Sequence, residues 1–117
     1  MQRIFQQTYH IPGTLAANVA PRYTAPTNCT LLHVSTVASN NSDATLKVGT
    51  SSDDDEFLAA AAIGDSGTPV EFERDDFVGG QYPRLDDGDV VVITLDFDGA
   101  AGTAAQNVTL VLTFAEG

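Results

Sequence analysis

The sequence predicts an all-β fold, an antiparallel β-sandwich of jelly-roll-like form with seven to eight strands and one short helical segment. Three observations carry this. Hydrophobic side chains recur with period two, which sets them on one face of a strand. Breaker-rich turns separate these stretches at short, regular intervals. A chain of 117 residues, 43% of them hydrophobic, suits a single domain that exposes roughly 6,000 Å² and buries about two-thirds of what its unfolded form exposes. The lone cysteine, Cys29, excludes an intramolecular disulfide framework, and no Cys/His spacing matches a structural zinc site. Packing must therefore hold the fold.

Residues 4–11 read as a strand with Phe5, Gln7, Tyr9 and Ile11 on one face. Residues 12–28 carry three of the five prolines, Pro12, Pro21 and Pro26, and proline does not sit in a central strand. That stretch is an edge strand or an extended arm, with a short edge strand expected within 14–22. We accordingly expect residues 1–28 to form an N-terminal strand and arm and 29–117 a sandwich body, within one domain overall. The arm either packs on its own sandwich or reaches a neighbouring subunit.

Residues 29–38 form the next strand, and 39–43 (Ser-Asn-Asn-Ser-Asp) read as a hairpin loop to a strand at 44–48, since Asn and Asp tolerate positive φ and bond their own backbone. In 53–63, four acids precede an alanine-rich run that Gly64 could end, which predicts a helix of two or three turns. Strands follow at 70–74, at 90–97 with Val91, Ile93, Leu95 and Phe97 inward, and at 107–114 with Val108, Leu110, Leu112 and Phe114 inward. Between them, 64–69, 78–81, 86–89 and 98–102 are turns. Jelly-roll and immunoglobulin-like connectivity both fit, although one Cys and no Trp exclude the antibody Cys–Trp–Cys framework.

Sixteen Asp and Glu against five Lys and Arg give a net charge of −11, and all the acids but Glu116 lie within 43–98. A field of that sign repels phosphate backbones and anionic lipid heads, so we expect neither nucleic acid nor membrane as a partner. No apolar run is long enough to cross a bilayer as a helix and no secretory leader is recognisable, so a soluble, non-secreted chain is expected. The three N-x-[ST] sequons, at Asn28, Asn40 and Asn107, then read as strand and turn residues.

Catalytic residues are not expected. A nucleophile needs a base and an orienting group, and the only bases near neutrality, His10 and His33, stand in no recognisable motif. Cys29 has no cationic neighbour in sequence and reads as a buried, inert thiol. Three acidic groups could offer oxygens to a hard cation: 53–56; Asp86, Asp87 and Asp89; Asp96 with Asp98. None has EF-hand spacing, so solvated turns and helix capping are preferred and neither metal nor cofactor is expected.

The opening stretch 5–14, the run Ala25-Pro26-Thr27-Asn28-Cys29-Thr30-Leu31-Leu32-His33-Val34, the segment 43–50 and the closing strand 107–114 together resemble small virion proteins of tailed bacteriophages, of the head decoration (cement) type. The resemblance is one of style over most of the chain. It implies a non-enzymatic protein on the outer capsid surface, often a trimer, that stabilises contacts between major capsid subunits in a virion assembled in the host cytoplasm. Its partners would be the major capsid protein and further copies of itself, a homotrimer. The less charged ends of the chain then make contact, with Ile4, Phe5, Tyr9, Ile11, Leu15 and Tyr23 as anchors. Two other readings fit: a tail or tail-tip component, and a carbohydrate- or cell-surface-binding sandwich with Tyr82 as its exposed platform.

Overall fold

The structure is a computed structural model that describes residues 3–64, 66–100 and 102–117. Among the described residues nine strands run β1 (Ile4–Thr14), β2 (Arg22–Thr24), β3 (Cys29–Val37), β4 (Thr45–Gly49), β5 (Leu58–Ala62), β6 (Val70–Phe72), β7 (Arg84–Leu85), β8 (Val90–Asp96) and β9 (Gln106–Glu116). One sheet has the order β1-β9-β3-β6, with β7 beside the start of β3, and the other the order β2-β8-β4-β5. Every strand pair is antiparallel.

This order decides the connectivity. Laid out as one long hairpin, the chain has β4–β5 at its tip, and β3–β6, β2–β8 and β1–β9 paired successively behind it. Rolling that hairpin adds β9–β3 and β8–β4 and yields the two sheets of a jelly roll. The immunoglobulin-like alternative is thereby excluded.

The inner rows meet in one core. Val108, Leu110, Leu112 and Phe114 of β9 face Val91, Ile93 and Leu95 of β8 and Leu46 and Val48 of β4, and all are fully buried. The total accessible surface, 5974 Å², matches the value expected for this mass. In β3 the register against β9 shifts between Leu31 and His33, so Cys29 and Leu31 point inward before the shift and Val34 and Thr36 after it. A bulge thus keeps both halves of one strand facing the core.

Three sequence expectations are corrected. The helix over 53–63 does not form: 53–57 is a turn region and the alanine run is β5, paired with β4 through Thr45–Ala62 and Leu46–Ala61. A short alanine helix buries little, whereas strand pairing covers the open side of β4 and seats Leu58 and Ile63 in the core, so tertiary context overrides propensity. The helical content is instead two 3-10 turns at Arg74–Asp76 and Val78–Gly80. The segment 39–43 is not a hairpin, because β3 and β4 lie in different sheets; it crosses between them. The edge strand sought within 14–22 falls at Arg22–Thr24, preceded by an isolated bridge from Val19 to Leu95.

Candidate interaction surface

The loops divide between the two ends of the sandwich. At one end the backbone bonds Leu15–Ala105, Ser42–Gly64, Asp43–Thr103 and Gly67–Ala38 tie together loops of small, mostly uncharged residues. At the other, the bonds Ala25–Asp89, Gly117–Asn28 and Val78–Phe57 gather the loops 53–56, 73–76 and 86–89, which hold ten of the sixteen acids. The charge clustered in sequence is therefore also clustered in space.

Several carboxylates of the molecule have local work. Asp89 accepts from the Asp86 N–H (2.9 Å), Asp96 from the Asp98 N–H (3.0 Å) and Asp76 from the Glu73 N–H (2.9 Å). Asp53, Asp54 and Asp55 cluster on the surface; hydrogen bonding and repulsion from Asp53 push the Asp55 carboxyl up. Lys47 Nζ meets Asp54 Oδ2 at 3.0 Å, which raises the lysine in turn.

The sequon asparagines fasten loops to one another. Asn28 Oδ1 accepts from the Asp87 N–H (2.8 Å). The Asn40 side chain donates to the Ala104 carbonyl (2.9 Å) and accepts from the Gln106 N–H (2.9 Å). Asn107, at positive φ, accepts from the Gly13 N–H (2.7 Å) and donates to Ser39 Oγ (3.0 Å).

The outer face of β1-β9-β3 has a different character. Its rungs are Ile4–Ala115–Thr30, Gln6–Thr113–His33, Thr8–Val111–Ser35 and His10–Thr109–Val37. No acidic side chain from these three strands stands in those rows. Gln6 Nε2 donates to Thr113 Oγ1 (3.2 Å), and His10 Nδ1 lies 2.8 Å from Thr109 Oγ1. At the margin, Glu71 of β6 reaches His33 Nε2 at 3.3 Å. This is a nearly uncharged surface on a strongly acidic molecule.

Of the six expected anchors, only Ile4 projects freely, 60% exposed. Phe5 and Tyr23 both stack on the buried Phe114 ring, at centroid distances of 5.2 and 5.3 Å. Tyr9 packs half-buried and donates from its hydroxyl to the Arg22 carbonyl (3.1 Å); Ile11 packs beside it and Leu15 is buried. Burial raises both Tyr9 and Tyr23 above the ordinary phenol value of 10.0. The first 28 residues thus contribute to both sheets. The anchors expected on β1 were its inner row and Ile4; the rest of the outer row, Gln6, Thr8 and His10, carries no signal in the sequence beyond polar alternation.

Cys29 is fully buried, and desolvation pushes its thiol up. His33 borders an open hollow of about 400 Å³ with Leu32, Glu73, Arg74, Asp75 and Tyr82, and no Ser, Thr or Cys lines it among the described residues. Tyr82, 44% exposed, also borders a second hollow of about 310 Å³ with Arg84 and Phe57.

No protein-family model and no curated protein matches the chain. Solved structures that share its fold include chains of two phage capsids. A chain of the cyanophage Pam1 capsid asymmetric unit is similar over 99% of this chain and 85% of its own length, with a TM-score of 0.57 and 20% identity. A chain of the capsid of Ralstonia phage GP4 is similar over 98% of this chain and 85% of its own, with a TM-score of 0.57 and 18% identity. At such identities the likeness is one of fold, and at that level it agrees with the resemblance read from the sequence.

Proposed function

We propose that this protein is a non-enzymatic component of a phage virion, a decoration (cement) protein that binds the outer capsid surface and strengthens contacts between major capsid subunits. The observation that carries this reading is a surface divided in two: a nearly uncharged β1-β9-β3 face, and ten acids gathered in loops at one end. The fold shared along nearly the whole chain with chains of two phage capsid structures supports it. The uncharged face meets the capsid, because little charge must be desolvated there. The acidic end points to solvent and keeps particles apart.

Ile4 is the anchor that touches the partner. Phe5, Tyr9, Ile11, Leu15 and Tyr23 act by fixing β1 against the core. Each copy binds weakly, and linked copies gain effective concentration on a repeating surface. A trimer, which the resemblance implies, is one way of linking them; pairing of two copies about a two-fold axis is another.

Antibody labelling of particles made by the genome that encodes the chain tests the location. Label over the head supports decoration, label confined to the tail supports a tail component, and unlabelled particles overturn both. Tyr82 and its two hollows favour one second reading, glycan binding. Under that reading the protein is retained on a glycan array and Tyr82→Ala abolishes the retention.

A further inference from the structure

We propose that the free edge of β1 pairs with the β1 edge of a second copy, antiparallel about a two-fold axis near Gln7, joining the two sheets into one. The β1–β9 ladder fixes where the backbone groups of β1 point. The Glu116 N–H donates to the Arg3 carbonyl at 2.7 Å, so Arg3 and Glu116 form a hydrogen-bonded pair. Antiparallel ladders alternate. Residues 5, 7, 9 and 11 therefore direct their amides and carbonyls at β9, while Ile4, Gln6, Thr8 and His10 direct theirs away from it. Since β1 ends its sheet, no strand receives them. Among the described residues the single bond there is a long one, from Gln7 Nε2 to the Thr8 carbonyl at 3.4 Å.

An edge of this length is normally blunted by charge, proline or a bulge. β1 has 11 residues, carries no Lys, Arg, Asp or Glu, and meets its first proline only at Pro12. The opposite edge of the sheet is defended: β6 has 3 residues, carries Glu71 and runs into the 3-10 turn at Arg74–Asp76. The contrast marks the β1 edge as an interface.

The inner row identifies the occupant. Phe5, Tyr9 and Ile11 remain half-buried at the rim of the core, so the added strand must bring an apolar inner row of the same period and an uncharged outer row. A second β1 supplies both. With Gln7 on the axis, Gln6 bonds Thr8 and Ile4 bonds His10 across the pair, and Phe5 lies opposite Tyr9 on the inner face. Such pairing is isologous and closes at two copies. It also keeps the acidic loops of each copy off the contact.

The test is the solution mass of the full chain by light scattering at about 100 µM. The wild type is expected at twice the monomer mass, 12.3 kDa. Thr8→Pro removes an amide that β9 does not use, and is expected at monomer mass with an unchanged circular dichroism spectrum. Because proline could disturb the strand, Gln6→Lys/Thr8→Lys provides a second variant that sets like charges opposite one another. It is expected to be monomeric alone and to dimerise when mixed with Gln6→Glu/Thr8→Glu. A wild-type monomer, a trimer, or a dimer that survives both variants overturns the proposal. The readout uses free protein, so its failure leaves the capsid reading standing, and the reverse also holds.

Discussion

Replacing Phe114 by Leu probes how the N-terminal segment is built into the fold. The Phe114 ring is fully buried and stacks on Phe5 at 5.2 Å and 20° and on Tyr23 at 5.3 Å and 26°. Each stack contributes about 0.5–1.5 kcal/mol beyond area burial. Leucine keeps most of the apolar volume, so the residual cavity adds only about 0.5 kcal/mol. The expected loss is about 1.5–3.5 kcal/mol, or roughly 6–14 °C in Tm for a domain of this size. The chain has no Trp, so urea unfolding is followed by circular dichroism and tyrosine fluorescence and extrapolated linearly. Phe5→Leu removes one of the two stacks. The double variant Phe5→Leu/Phe114→Leu should then lose less than the sum of the singles, by about 0.5–1.5 kcal/mol. A loss below about 1 kcal/mol for Phe114→Leu, or additivity within about 0.3 kcal/mol, refutes the view that β1 is held through this ring.

Other perturbations follow from single contacts. Thr36 is buried with a hydroxyl that has no partner among the described residues, so Thr36→Val should raise stability by about 1–2 kcal/mol in urea melts; a loss would reveal a hidden partner. A side chain at Gly64 collides with the Ser42 backbone, and Gly64→Ala should lower stability by about 1–3 kcal/mol, whereas no change in Tm would mean that this crossover is loose. The raised thiol and phenols give the alkaline limb a defined sign. Above pH 9.0 the unfolded chain releases the Cys29 proton while the folded chain keeps it, so stability falls, and it falls further above pH 10.0 as Tyr9 and Tyr23 join. Cys29→Ala should remove the first part of that fall, and a urea midpoint equally pH-dependent in both proteins contradicts the assignment. Capsid binding through the uncharged face should change little between about 0.1 and about 1 M salt, where the Debye length shrinks from about 10 Å to about 3 Å; a steep loss in co-sedimentation would implicate the acidic end instead.

The strands that alternate cleanly were legible because one face of each is buried: β8, β9 and the inner row of β1 lie where period two puts them. What periodicity could not show was local disruption and long-range pairing. The bulge at Leu32 interrupts alternation within β3, and sequence offers only an adjacent leucine pair as a hint. β5 was lost because alanine's intrinsic preference is helical, and only the open side of β4 makes it a strand. The crossover at 39–43 looked like a hairpin because Asn-rich turns serve both purposes, and which sheet the next strand joins is fixed far away, by β8. The two-residue β7 is too short to carry a pattern. For the interaction surface, the separation of charge was visible along the chain. Its collection at one end needed the roll of the hairpin, and the placing of Thr109, Val111 and Thr113 beside the outer row of β1 needed the pairing of the two ends of the chain.

Thermal rupture of particles made without the chain, measured before and after purified protein is added back, separates a cement protein from a bystander. A cement protein binds the head saturably and raises the rupture temperature on restoration. Particles that rupture at the same temperature with and without the protein, while it stays in the supernatant, contradict that role.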